Sequence, residues 1–129
     1  MASKESIRTP LGKVRGLGSA KHGVGHFITQ RVSAVGLIFL VPWFLISLIG
    51  AVRGGYDGAL AWVADPINAV LTFLAVGTAL YHMRLGMQVV VEDYITKHST
   101  KNLLLILNTF ICVVLFAAAA YAVLKIAIS

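Results

Sequence analysis

Three long stretches dominated by apolar residues divide the sequence, and each is long enough to cross a lipid bilayer. The predicted spans are residues 32–52, residues 66–94 with an apolar body ending near Val91, and residues 103–124. A bilayer helix needs about 20 predominantly apolar residues. The pattern therefore predicts an all-α membrane protein with three transmembrane helices.

The boundaries between these spans carry their own local signals. Asp65 can accept hydrogen bonds from free backbone N–H groups, and Pro66 suits the first position of a helix, so a helix is predicted to begin there. Residues 53–58 contain three glycines and two charged side chains, which indicates an exposed turn. Pro42 within the first span can kink that helix, and the freed carbonyl must then be satisfied inside the helix bundle.

Charged residues are few and unevenly placed, which predicts how the chain is oriented. Only 12% of residues are charged, against about 25% in a typical soluble protein, and the net charge is +6. Basic residues cluster in residues 1–31, a segment predicted to be cytoplasmic or interfacial because Lys and Arg are retained on the cytoplasmic side. Three crossings then leave the C-terminus periplasmic. The basic residues are spread out and lack a recognition motif, so a nucleic-acid partner is not expected. The basic residues ahead of the first span are Lys4, Arg8, Lys13, Arg15, Lys21 and Arg31.

Two ionisable side chains, His82 and Arg84, lie within the second span. Such residues cost about 2.5–3.5 kcal/mol at the centre of a bilayer helix, so each requires a partner. The imidazole of His82 lies near the midplane, where it could bind haem iron or hydrogen-bond to a neighbouring helix. Gly86 is one turn away on the same face and leaves room for a flat macrocycle, although glycine is also common where membrane helices touch. Arg84 points about 200° away from His82, so it needs a different partner.

Polar residues also mark the cytoplasmic rim of the first two spans. Asp93 lies within about 20° of the direction of His82, and Tyr94 follows it. Tyr94 could be an interfacial anchor, or its phenol could donate to a quinone carbonyl beside the carboxylate of Asp93. His26 and Arg31 at the mouth of the first span could bind either lipid headgroups or the propionates of a haem.

The combined pattern resembles that of a known family, the smaller hydrophobic anchor subunit of succinate dehydrogenase (respiratory complex II). The resemblance implies that His82 is an axial ligand of haem b, whose other axial histidine comes from a companion cytochrome b anchor subunit. It also implies that Tyr94 hydrogen-bonds to ubiquinone with Asp93 nearby, and that Arg31 and His26 lie near the haem propionates. The residues that carry the resemblance are His26, Arg31, His82, Gly86, Asp93 and Tyr94.

The same resemblance implies a division of labour among subunits. Succinate would be oxidised at FAD in a flavoprotein subunit, and electrons would pass through the clusters of an iron–sulfur subunit to ubiquinone, so the chain alone is not catalytic. The implied location is the cytoplasmic membrane of a bacterium, in contact with membrane lipid, and three such four-subunit complexes could associate as a trimer. Arg84 departs from the family pattern, which has an aromatic residue or a histidine at that position.

Three other functions are consistent with parts of the pattern. A structural or assembly subunit without a redox role would use His82 and Arg84 only for interhelical hydrogen bonds. The cytochrome b subunit of another quinone-linked dehydrogenase commonly contains both axial histidines, whereas this sequence has one deep histidine. An ion-conducting subunit is disfavoured because the spans contain too few carboxylates.

Overall fold

The computed structural model describes residues 9–15 and 23–129, and within these ranges the chain is helical with short connections and no strands. Three of the helices, α2, α4 and α5, are long and apolar enough to cross a membrane, which confirms the predicted all-α, three-span architecture. Lys4, Arg8, Lys21 and His22 lie outside the described residues. The helices are α1 (Pro10–Arg15), α2 (Gly23–Val52), α3 (Gly55–Ala64), α4 (Pro66–Tyr94) and α5 (His98–Ala127).

Helix α2 begins at Gly23, nine residues before the first predicted span, and is helical on both sides of Pro42. His26 and Arg31 therefore lie on the helix itself. Their side chains are fixed relative to the rest of the span, because each position on a helix has a defined direction.

The prediction of a turn over residues 53–58 was wrong beyond its first two residues, since α3 begins at Gly55. Gly55 has a φ of +70°, a conformation that glycine adopts readily, and it reverses the chain after α2. Helix α3 then packs back against α2, where Trp62 stacks on Trp43 with ring centroids 6.0 Å apart. Gly58 permits this approach, because a Cβ there would lie 2.7 Å from the backbone oxygen of Ala51.

Helix α4 starts at the predicted capping signal. The side chain of Asp65 accepts hydrogen bonds from the backbone N–H groups of Ile67 and Asn68, each at 3.0 Å, and Pro66 occupies the first helical turn. At the other end α4 stops at Tyr94, and a three-residue connection leads into α5 at His98. The predicted spans left residues 95–102 between them, so the connection is shorter than expected because α5 already begins at His98.

Helix α4 is the central helix, since it packs against both α2 and α5. On the α5 side, Phe73 and Phe116 have ring centroids 5.1 Å apart, and a Cβ at Gly77 would lie 3.0 Å from Cε2 of Phe116. In contrast, Ser33 is the one buried residue of α2, and Cys112 that of α5. Most of the apolar surface of α2 and α5 thus faces outward, as expected for helices that contact lipid or other membrane subunits.

Candidate functional site

His82 lies on α4 at the seventeenth of 29 helical positions, with a half-buried side chain directed at α2. Its Nδ1 lies 2.9 Å from Oγ of Ser33, and its Nε2 lies 3.4 Å from Nε2 of Gln30. Both partners belong to α2. The imidazole is therefore held between the two helices by polar contacts, in a segment that is mainly apolar.

A cleft of about 390 Å³ opens beside this imidazole, between α2 and α4. Its volume falls in the range of about 300–1,000 Å³ that is usual for sites that bind small molecules and cofactors. The structure brings His82 together here with His26 and Arg31, the two candidates of the first span. The lining residues are Gly23, His26, Phe27, Gln30, Arg31, Ala34, His82 and Val89.

Two buried polar atoms that lack hydrogen-bond partners belong to residues that line this cleft. They are Nε2 of His26 and Oε1 of Gln30. Buried polar atoms in proteins are nearly always hydrogen-bonded, and an exception calls for an explanation such as a missing ligand. The cleft thus offers unsatisfied polar groups to a bound molecule.

Arg31 lies at the exposed edge of the cleft. Its guanidinium carbon is 4.9 Å from the ring centroid of Phe27, a geometry typical of a cation–π contact. This contact leaves the planar N–H fork available for an anion. A cation is therefore positioned at the rim, within the same cleft as the deep imidazole.

Gly86 lies one helical turn beyond His82, at the contact between α4 and α2. A Cβ at this position would lie 3.6 Å from Nε2 of Gln30, which is ordinary van der Waals contact. The helix packing by itself would accept an alanine here. A longer side chain would extend into the space between the two helices.

Asp93 and Tyr94 are not brought to the cleft. They lie at the end of α4. Tyr94 is twelve residues beyond His82, which corresponds to about 18 Å along the helix axis. Both side chains are exposed, and Tyr94 retains 80% of its accessible surface. In contrast, their neighbour Glu92 is hydrogen-bonded. Its side chain accepts from Nε2 of Gln88, and its backbone oxygen accepts from Nζ of Lys101.

Arg84 turns towards α5 and is separated from the cleft of His82. Its Nε donates to Oγ1 of Thr109 at 3.1 Å, while its backbone oxygen accepts from Nδ2 of Asn108 at 3.0 Å. The interhelical partners of this arginine are therefore neutral polar side chains of the same chain. Helical geometry predicted that Arg84 points away from His82, and the structure shows that its neighbours are Thr109 and Asn108.

Sequence reasoning missed Gln30 and Ser33, the two residues that contact His82. Their spacing contained a usable signal, because His26, Gln30 and Ser33 are separated by four and then three residues and so share one face of α2. A polar stripe of this kind at the start of an apolar span points towards a polar group on the neighbouring helix. Among the described residues, no group of three or more His, Cys, Asp or Glu side chains could hold a metal ion.

Comparison with known proteins gives a consistent result. The family described as "Succinate dehydrogenase/Fumarate reductase transmembrane subunit" matches residues 5–120. A protein from Rickettsia bellii named succinate dehydrogenase hydrophobic membrane anchor subunit is 34% identical over 118 residues, covering 89% of this chain and 94% of the relative. Proteins of the same name from Rickettsia conorii and Paracoccus denitrificans are 33% and 32% identical, covering 87% and 91% of this chain and 90% of each relative. No solved structure matches the chain at a significant level. With the family matched over nearly the whole length and the fold showing three membrane-spanning helices, this chain belongs to the transmembrane subunits of the succinate dehydrogenase and fumarate reductase family.

Proposed function

We propose that this chain is the membrane anchor subunit of a succinate:ubiquinone oxidoreductase, and that it supplies one axial ligand of haem b and part of the ubiquinone-reduction site. The observation that carries the haem assignment is the deep imidazole of His82 beside a cleft with unpartnered polar atoms. A redox role accounts for these features together. A purely structural subunit would leave these polar atoms without a ligand.

The residues of the cleft fit a haem. Nε2 of His82 has the chemistry of an axial ligand, and Arg31 and His26 can donate hydrogen bonds to propionate carboxylates. The absence of a side chain at Gly86 keeps the α2–α4 contact open one turn from His82. Bound haem would supply a one-electron centre within the membrane. The second axial histidine would come from a companion cytochrome b anchor subunit, which would then be joined to this chain through the shared iron.

The quinone site would lie at the end of α4. The phenol of Tyr94 would donate a hydrogen bond to a carbonyl oxygen of ubiquinone, and the carboxylate of Asp93 would help to deliver protons. Support comes from their exposure at the same end of the helix, where they are free to face another subunit. The iron–sulfur subunit and the companion anchor would complete the pocket, while FAD would remain in the flavoprotein subunit.

The proposed orientation places this end of the bundle on the cytoplasmic side of a bacterial membrane. The start of α2, the end of α4 and the start of α5 lie at one end, because consecutive spans run in opposite directions. Lys97 and Lys101 add to the basic residues at this end, in agreement with the tendency of Lys and Arg to stay cytoplasmic. The C-terminus would then be periplasmic. Electrons from the soluble subunits would reach ubiquinone at the cytoplasmic rim.

The first test is a reduced-minus-oxidised spectrum of the complex purified through this chain, together with identification of the copurifying subunits. We expect a b-type haem, a flavoprotein, an iron–sulfur protein and a second membrane anchor. A complex of that composition without haem would reduce the chain to a structural anchor. A different dehydrogenase partner would overturn the assignment to succinate oxidation.

The quinone assignment is tested by Tyr94→Phe, with Tyr121→Phe as a control. Tyr121 is an exposed tyrosine near the far end of α5, remote from the proposed pocket. Tyr94→Phe should lower ubiquinone reduction by up to about tenfold, as expected for the loss of roughly 1.4 kcal/mol from a hydrogen bond that orients the substrate. Succinate oxidation with an artificial acceptor should be unchanged. Equal loss in both assays would indicate failed assembly and contradict the specific role of the phenol.

A further inference from the structure

The hydroxyl of Ser33 lies within hydrogen-bond distance of a backbone oxygen and of a ring nitrogen of His82. Oγ of Ser33 lies 3.0 Å from the backbone oxygen of Gln30 and 2.9 Å from Nδ1 of His82. A serine hydroxyl has one proton, and a carbonyl oxygen can only accept. When Ser33 donates to the carbonyl of Gln30, its oxygen must accept from His82. Nδ1 of His82 is then the protonated nitrogen.

The second contact of the imidazole is compatible with the same arrangement. Nε2 of His82 lies 3.4 Å from the amide nitrogen of Gln30. An amide nitrogen donates and does not accept, so Nε2 must offer its lone pair. Two contacts from different side chains of α2 are thus compatible with the Nδ1–H tautomer of His82.

We propose that Ser33 is a positioning residue for the haem ligand, an inference that rests on the proposed function. Its hydroxyl holds His82 as the Nδ1–H tautomer and fixes the plane of the ring, so that the lone pair of Nε2 is available to iron. Ser33 is 7% exposed and lies in an apolar bundle, where water cannot readily replace its hydrogen bond. The contact with Gln30 is long, and this amide is the group that must give way when a metal approaches Nε2.

A hydrogen bond from the second nitrogen of a histidine orients the ring and makes it a more basic metal ligand. Loss of such a partner typically lowers metal affinity by about 10–100-fold. A less basic imidazole also stabilises ferric iron less, so the midpoint potential of the haem should rise. A residue that merely fills space between helices would affect neither the potential nor the electronic spectrum of the iron.

The test compares Ser33→Ala with Ser47→Ala in the intact purified complex. Ser47 is also on α2, and its hydroxyl donates to the backbone oxygen of Trp43 at 2.7 Å without contacting His82. The measurements are haem per flavin during extended detergent washing, a redox titration of the haem, and the low-spin ferric EPR spectrum. Ser33→Ala should lose haem about 10–100-fold more readily, show a higher midpoint potential and have altered EPR g-values, while Ser47→Ala should match the wild type.

Two further variants keep the inference testable if Ser33→Ala fails to assemble. Ser33→Thr retains the hydroxyl and should restore the wild-type potential. Ser33→Cys fills nearly the same space with a weaker acceptor, so its potential should rise as in the alanine variant. Unchanged potential and haem retention in both Ser33→Ala and Ser33→Cys would overturn the positioning role. If wild-type haem binding instead proves independent of His82, the proposed function itself fails, and the two outcomes are thereby distinguished.

Discussion

Replacing His82 by alanine should remove haem b from the complex without preventing assembly. The substitution deletes the 2.9 Å hydrogen bond to Ser33 and the 3.4 Å contact with the amide nitrogen of Gln30, while Ser33 still donates to the backbone oxygen of Gln30. Side-chain hydrogen bonds between membrane helices contribute about 0.6 kcal/mol on average and up to about 1.7 kcal/mol. His82 is also only half-buried, which limits the packing lost. The cost to the fold is therefore small, whereas the loss to the cofactor site is complete.

The assay is the haem content and reduced-minus-oxidised spectrum of the purified complex, each normalised to flavin. The matched control is His98→Ala, because His98 is an exposed histidine in the first turn of α5 and belongs to the same chain. His82→Ala should abolish the b-type absorbance with an unchanged ratio of subunits, and His98→Ala should preserve it. A normal spectrum at normal haem content in His82→Ala would refute the ligand assignment. Loss of haem in both variants would indicate an effect on assembly. It would refute the claim that His82→Ala acts on haem ligation alone.

Enlarging two glycines of α4 should have different effects, one on haem binding and the other on stability. Gly86→Val places methyl groups beyond a Cβ that would lie 3.6 Å from Nε2 of Gln30. Haem content should therefore fall severalfold while the subunits still copurify. Normal haem content would show that the macrocycle does not approach this turn. Gly77→Ala places a Cβ 3.0 Å from the ring of Phe116 on the α5 side, and such overpacking costs about 1–3 kcal/mol. The thermal unfolding midpoint should therefore drop with an unaltered haem spectrum, and an unchanged midpoint would mean that the ring of Phe116 moves aside without cost.

Some features of this protein follow from local sequence properties. The three spans could be predicted because the transfer of a helix into a bilayer depends on the length and polarity of one continuous stretch. The start of α4 could be predicted because Asp65 and Pro66 act on the helix that they begin. His82 stood out for the same reason, since an ionisable side chain within an apolar span is expensive wherever its neighbours lie.

Helix α3 shows where local reasoning failed. Its glycines and charged residues are typical of a turn, and it forms a helix whose apolar side packs against α2. Gly58 permits the close approach, and Trp62 stacks on Trp43. The contact between Trp43 and Trp62 joins residues about 20 positions apart, so no local pattern could reveal it.

The neighbours of His82 were likewise decided by the tertiary structure. Hydropathy predicts that α2 and α4 cross the membrane, but not how each helix is rotated about its own axis. That rotation comes from side-chain packing along the whole α2–α4 contact, and it directs Ser33 and Gln30 at the imidazole while Arg84 faces Thr109 on α5. The sequence alone thus determined which segments enter the membrane and which ionisable residue demands a partner. The packing of the helices determined which partner it received, because only packing sets the relative rotation of the two helices.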